Sequence, residues 1–324
     1  MLKFPKSAVL TLGALSLAMG ASLAAAADVK SVAVTAIVEH PALDSARDGI
    51  LEALNQAGYK QGDNLKWQYQ SAQGNTGTAA QIARKFIGDK ADVLVGIATP
   101  TAQALAAGTK QIPIVFTAVT DPVQAQLTPS WEASGTNVTG VSDVLELDKQ
   151  IDLIKEIIPD AKKVGIVYNP GEANSVAVVE ALKKQLPEHG MELVEAAAPR
   201  TVDVRNAALS LAGKVDVIYT NTDNNVVSAY EAMAKVGNDT KTPLIASDTD
   251  SVKRGAIAAL GVDYHDLGVQ TGRIVARILD GEKPGDIAPQ TSDNLQLFIN
   301  VTAAEKQGVL LSEELLLRAA QIIR

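Results

Sequence analysis

Short β-branched apolar runs alternate with stretches of helical period along almost the whole chain. Residues 31–38 (SVAVTAIV) read as a strand. Leu43, Ala46, Ile50, Leu51, Leu54 and Ala57 then recur at helical spacing, and Gly58 supplies the stop. Strands follow at 64–70, 91–98 and 112–119, with helices over 78–87 and from Thr99-Pro100. The rhythm restarts at 163–168. There the pattern predicts strands at 192–195, 215–219, 243–246 and 256–260 and helices over 175–186, 204–211 and 226–236. Near-continuous apolar strands separated by helices predict parallel sheets covered on both faces. Two such runs predict an α/β protein of two doubly wound parallel-sheet lobes.

The links between the runs predict how the lobes are joined. Residues 137–143 form a strand-like connection, the helix at 267–279 returns to the first lobe, and 295–301 is a late strand of the second. Three passages make a three-segment hinge. The first lobe is expected to take 28–143 plus 265–291, and the second 144–264 plus 292–324.

The N-terminus departs from this pattern. Lys3 and Lys6 precede an apolar stretch over 8–19, and small residues end at Ala24-Ala25-Ala26-Ala27. A positive start, a short apolar core and an A-x-A end predict a cleavable signal over 1–27, cut before Asp28. The stretch falls short of the roughly 20 apolar residues that span a bilayer. Removing it leaves about 297 residues, more than one core usually organises.

Charge and cysteine usage narrow the function. The chain of 324 residues has a formal charge of −8, and losing the two signal lysines takes it to about −10. An acidic exported chain without a basic run does not suit nucleic acid or an anionic membrane surface. With no cysteine, it has no thiolate nucleophile, no Cys-ligated metal and no attachment point for a lipid anchor. A soluble periplasmic protein, not membrane-embedded, is expected.

Ligands of open parallel sheets sit beyond the carboxyl ends of the strands, so the loops there carry the candidate chemistry. They hold Glu39 and His40, Thr99 and Thr101, Thr120 and Asp121, Asn174 and Ser175, Asn224, and Asp248. Thr99-Pro100 has the form of an N-cap followed by N1, with free amides just beyond it that suit an anion. Asn174-Ser175 opens a helix in the same way. Asp121 and Asp248 are placed to meet an ammonium or to cap helices. Phe116, Tyr168 and Tyr219 lie in strands and are expected in the core. His40, His189 and His265 are too few for a metal site, and no G-x-S-x-G elbow, P-loop or G-x-G-x-x-G follows a strand. No feature requires an enzyme, a cofactor or a metal.

The loop sequences VEHPALD (38–44), IATP (97–100), AVTDP (118–122), NVTGVSD (137–143) and YNPGEANS (168–175) resemble a family of bacterial periplasmic solute-binding proteins. These serve ABC importers, and tryptophan- or aromatic amino acid-binding members are among them. The resemblance implies the type I binding fold, a small-molecule ligand held between closing lobes, an inner-membrane permease as partner, and a monomer. For an amino acid, the carboxylate is expected near Thr99, Thr101 and Thr120. Asp248, then Asp121, is expected to take the ammonium, with Asn174, Ser175 and Asn224 closing the cage. Purines, nucleosides or branched-chain amino acids remain open as ligands, and a sensor role or a secreted enzyme as other functions.

Overall fold

A computed structural model describes residues 29–292 and 294–324; the expected signal segment lies outside them. The first run supplies β1 (Lys30–Ala36), β2 (Leu65–Ser71), β3 (Val93–Ile97), β4 (Ile114–Thr117) and β5 (Val138–Ser142). The second supplies β6 (Lys163–Tyr168), β7 (Glu192–Ala197), β8 (Val217–Thr220), β9 (Leu244–Ala246) and β10 (Ala258–Val262). Three short strands end the chain, β11 (Gln290–Thr291), β12 (Leu295–Asn300) and β13 (Gln321–Ile323). One sheet has the order β11-β5-β4-β3-β1-β2 and the other β13-β12-β10-β9-β8-β6-β7.

The first sheet is parallel throughout. In the second, β12 runs antiparallel to β10, which departs from the all-parallel expectation. The chain has just returned from the first sheet at β11, so it enters the second from the opposite end. Both central strands of the first sheet, β3 and β4, are buried at every position, as helices on two faces require. The chain passes between the sheets after Ser142, after Val262 and after Thr291.

Strand order also fixes where a ligand can sit. In each sheet the order reverses once, between β1 and β3 in the first and between β6 and β8 in the second. Loops leaving neighbouring strands diverge there and open a crevice at the carboxyl ends. The helix Pro41–Gln56, which follows β1, lies tightly on the returning helix Tyr264–Leu279. A Cβ on Gly268 would stand 2.1 Å from the Ala46 carbonyl oxygen, and one on Gly49 2.3 Å from that of His265. Glycine is required at this crossing because the two backbones touch.

Local structure corrects three helix expectations. The helix read over 226–236 is two, Asn224–Ser228 and Tyr230–Thr240. Arg254 donates to the carbonyls of Val227 and Ser228 and so draws off acceptors of the first helix. At the third strand's exit, Ala98 occupies the cap position at φ 75°, and Thr99 is already the first helical residue. Likewise Glu172 precedes the helix Ala173–Gln185, which puts Asn174 inside its first turn.

Candidate functional site

The two crevices face each other and enclose a small chamber. The first lobe and its exit strand contribute His40, Ala42, Leu43, Ala118 and Asp143, and the second Thr222, Asn224, Val227 and Asp248. Tyr264, which opens the returning helix, closes the wall. The lobes meet across it, with the Thr120 and Thr222 hydroxyls 3.4 Å apart. About 10 Å³ remains inside, space on the order of one water.

The chamber concentrates carboxylate. Asp143 is 3% exposed; its Oδ2 accepts from the Tyr264 hydroxyl at 2.7 Å and its Oδ1 from Thr120 Oγ1 at 3.3 Å. Asp248 is 1% exposed; it caps the helix Thr249–Lys253 through the Ser251 N–H at 2.8 Å and accepts from Ser251 Oγ at 2.6 Å. Burial raises the pKa of both. Among the described residues no Lys, Arg or His forms an ion pair with either. The guanidinium of Arg254, whose field reaches Asp248, is paired with Glu231 at 2.6 Å. His40 supplies no positive charge, because burial, then the field of Arg254, lowers its pKa to about 3. Its neutral Nδ1 accepts from the Leu43 N–H at the start of the helix Pro41–Gln56. Pro41 carries no N–H, and the Asp44 N–H donates to the His40 carbonyl at 3.0 Å, so of the first turn only the Ala42 N–H is left without a partner; Ala42 and Leu43 line the chamber.

Beside it lies a larger cavity of about 390 Å³, which shares Asp143 and Thr222 with the chamber. Its walls are the exit segment Val144–Asp148, then Ala177, Val178 and Ala181 of the helix Ala173–Gln185, and Tyr219 at the end of β8. Tyr219 is buried, as its strand position predicts, yet it also forms cavity wall. An acid-lined chamber opening on a 390 Å³ cavity of mixed polar and apolar lining offers room for a small zwitterion with a bulky side chain.

Behind the second lobe's wall sit two more buried acids. Asp223 accepts from Ser175 Oγ and the Asn169 N–H, both at 2.6 Å, and from the Asn225 and Val226 amides at 3.0 Å. Glu172 accepts from Asn224 Nδ2 at 2.6 Å and Asn174 Nδ2 at 3.3 Å. Burial, then the charge of Asp223, pushes the Glu172 carboxyl up to about 7.

Of the residues named from sequence, the structure brings His40, Asn224 and Asp248 into the chamber and Thr120 and Asp121 onto the larger cavity. Asp121 also accepts from the amides of Val123 and Gln124 within its own turn. Glu39 is exposed and lines neither space. The Thr101 hydroxyl donates to the Ile97 and Ala98 carbonyls, and that of Ser175 to Asp223. Thr99 and Asn174 are buried beside the cleft loops, with Thr99 Oγ1 and Asn174 Oδ1 unpartnered. Sequence reasoning gave no site role to Asp143, Thr222, Tyr264 and Glu172, and it placed Tyr219 in the core alone. Asp143 ends the quoted NVTGVSD motif and Glu172 stands within YNPGEANS, so both were in view without a role. Among the described residues no cluster of His, Asp and Glu could hold a metal ion.

Two α/β lobes closing on a small enclosed site define a solute-binding protein. The family model for ABC transporter substrate-binding proteins matches residues 31–323, and the chain belongs to that family. It is 44% identical over 271 residues to a tyrosine-binding protein of Clostridioides difficile, covering 84% of this chain and 79% of that one. A conserved domain protein of Vibrio cholerae superimposes with a TM-score of 0.90 at 52% identity, covering 91% of this chain and all of that one. A Streptococcus pneumoniae ABC domain in complex with L-Trp gives 0.87 at 33% identity, covering 91% and 99%. A ligand-free, open substrate-binding protein with adhesive properties from Clostridium difficile gives only 0.69, at 39% identity and the same coverage. Of these last two, the better sequence match is the poorer superposition.

Proposed function

We propose that this protein captures an aromatic amino acid in the periplasm and delivers it to an ABC permease. The carrying observation is the pair of buried carboxylates, Asp143 and Asp248, that face one interlobe chamber without a cationic partner. Uncompensated buried charge is costly, and a ligand ammonium removes that cost. The ligand carboxylate is assigned to the free Ala42 N–H in the first turn of the helix Pro41–Gln56, and its ring to the cavity beside Tyr219. Asn224 and the neutral His40 complete the polar shell, and Thr120 holds Asp143 in place. The expected carboxylate role of Thr101 is set aside, since its hydroxyl is engaged within its own turn.

The ligand docks on one lobe while the two stand apart. Rotation about the three passages brings the other carboxylate to the ammonium, and contacts available only in the closed arrangement shift the population. The proposal includes export by the segment 1–27, solubility without a lipid anchor, and action as a monomer. What supports the aromatic preference is the kinship to tyrosine- and tryptophan-binding relatives together with the size of the cavity. Thermal-shift measurement on unfolded and refolded protein, against the twenty amino acids, purines and nucleosides, tests the proposal. Selective shifts with tryptophan, tyrosine or phenylalanine support it, since a ligand specific to the native state raises the melting temperature. Shifts with purines alone overturn the ammonium assignment.

A further inference from the structure

Glu172 occupies an unusual position for a carboxylate. It is 4% exposed, precedes the helix Ala173–Gln185, and has no cation against it. Its Oε2 accepts from Asn224 Nδ2 at 2.6 Å, from the Asn224 N–H at 3.3 Å and from Asn174 Nδ2 at 3.3 Å. Its Oε1 accepts from Asn169 Nδ2, also at 3.3 Å. One side chain thus gathers three asparagines from two loops that meet at the second lobe's switch point.

A carboxylate can only accept, so it dictates how each amide is turned. With Nδ2 committed to Glu172, the carbonyl Oδ1 of each asparagine points away from it. Asn174 Nδ2 also donates to the Thr222 carbonyl at 3.1 Å, while its Oδ1 is buried without a partner. Asn224 lines the chamber. We propose that Glu172 is a positioning residue of the ligand cleft: its carboxylate turns Asn224 so that the carbonyl oxygen of this chamber-lining amide serves the ligand ammonium, and its protonation releases it. The inference rests on the amino-acid reading above.

Protonated Glu172 becomes a donor at one oxygen. With the proton on Oε2, the oxygen that takes the Asn174 and Asn224 contacts, at least one of these must break or invert, and an inverted Asn224 presents N–H to the ammonium instead of an oxygen. Among the described residues the charge that acts on Glu172 is that of Asp223; the helix Leu147–Ile157, which also packs on Ala173–Gln185, carries Asp148, Lys149, Asp152, Lys155 and Glu156, and none of these bonds to it. The helix Thr99–Gly108 of the first lobe, which packs on the helix Ala173–Gln185, carries no titratable residue, and neither does Asn224–Ser228. Asp223 and Glu172 each accept from four donors, and burial raises the pKa of both, so the two acids take up a proton as a pair.

The test is calorimetric titration of L-tryptophan and L-tyrosine into refolded wild type and Glu172→Gln at pH 8.0 and 5.5. Glutamine mimics the shape of the protonated acid, so the variant is expected to fold. At pH 8.0 it should bind at least tenfold more weakly than wild type. At pH 5.5 the two should converge to within about threefold, because wild type loses affinity while the variant's Glu172-dependent share is already gone. Protonation of Asp143 or Asp248 weakens both proteins alike and cancels in the ratio. A ratio that stays constant with pH, or equal affinities at pH 8.0, overturns the proposal. So does a wild-type affinity that is flat from pH 8.0 to 5.5, with no variant needed. Wild type that binds neither amino acid at pH 8.0 overturns the amino-acid reading itself.

Discussion

Replacing Asp143 with asparagine should move ligand affinity and unliganded stability in opposite directions. In the folded protein the Asp143 carboxylate is buried and receives two hydroxyls but no cation. Burial raises its pKa above the unfolded value. Such a group favours the fold in its protonated form, below the unfolded pKa near 4, and that contribution is lost as pH rises through the folded value. Burying this carboxyl group therefore works against the fold as pH rises, and a neutral amide of the same shape removes the penalty. Asparagine Oδ1 can still accept from Tyr264, and its Nδ2 can donate to the Thr120 oxygen. Each kcal/mol of relief should read as a rise in Tm of about 2–4 °C. Binding should respond the other way, because the ammonium loses a buried charge partner. Such truncations cost about 2–5 kcal/mol, or roughly 30- to 5,000-fold in Kd. Calorimetric titration with L-tryptophan and thermal unfolding of the stripped protein read the two effects separately. A variant that is both less stable and unimpaired in binding would refute the reasoning, since Asp143 would then be a structural hydrogen-bond acceptor only.

Three further outcomes are expected. The folded state holds His40 neutral, with a pKa near 3, whereas the unfolded chain takes up the proton below about 6.5, so His40 costs stability as pH falls through that window. His40→Asn, which keeps an N-cap acceptor, should gain on wild type by roughly 2–3 kcal/mol by pH 4.5, and parallel Tm–pH curves would contradict this. Ala181→Phe should fill part of the 390 Å³ cavity and weaken L-tryptophan at least tenfold while sparing the fold; unchanged affinity in a titration would place the side chain elsewhere. Gly268→Ala sets a methyl 2.1 Å from the Ala46 carbonyl oxygen, which neither helix can yield locally. A stability loss of at least about 1–3 kcal/mol by denaturant unfolding is expected, and a neutral result would mean the crossing is looser than described.

The architecture was legible because its signals are local and repeated. Runs such as VLVGI in β3 and IVFT in β4 admit few states other than buried strands. What failed locally depended on distant partners: the break at Ala229 comes from Arg254, 25 positions along the chain, and was not visible in the periodic 226–236 segment. A place on the chamber wall was legible where a residue follows a strand and faces the crevice, as for His40, Asn224 and Asp248. It was not legible where position in the sequence and position in space part company. Asp143 stands on a passage between lobes, and its two partners, Thr120 and Tyr264, lie 23 and 121 residues away. Glu172 looks like a solvated loop acid until folding surrounds it with asparagines. Hydroxyls such as those of Thr101 and Ser175 have the right chemistry for a ligand, but nearby backbone or carboxylate acceptors claim them first.

The central claim is that the cleft recognises an amino acid by its ammonium. Titrating refolded protein at pH 7.5 with L-tryptophan and with 3-indolepropionate, which keeps the ring and carboxylate but lacks the amine, tests it most directly. Loss of at least 30-fold in affinity for the deaminated compound, and its restoration toward parity in Asp143→Asn, is the result predicted here. Equal binding of the two compounds to the wild type would show that the buried carboxylates do not meet the ligand.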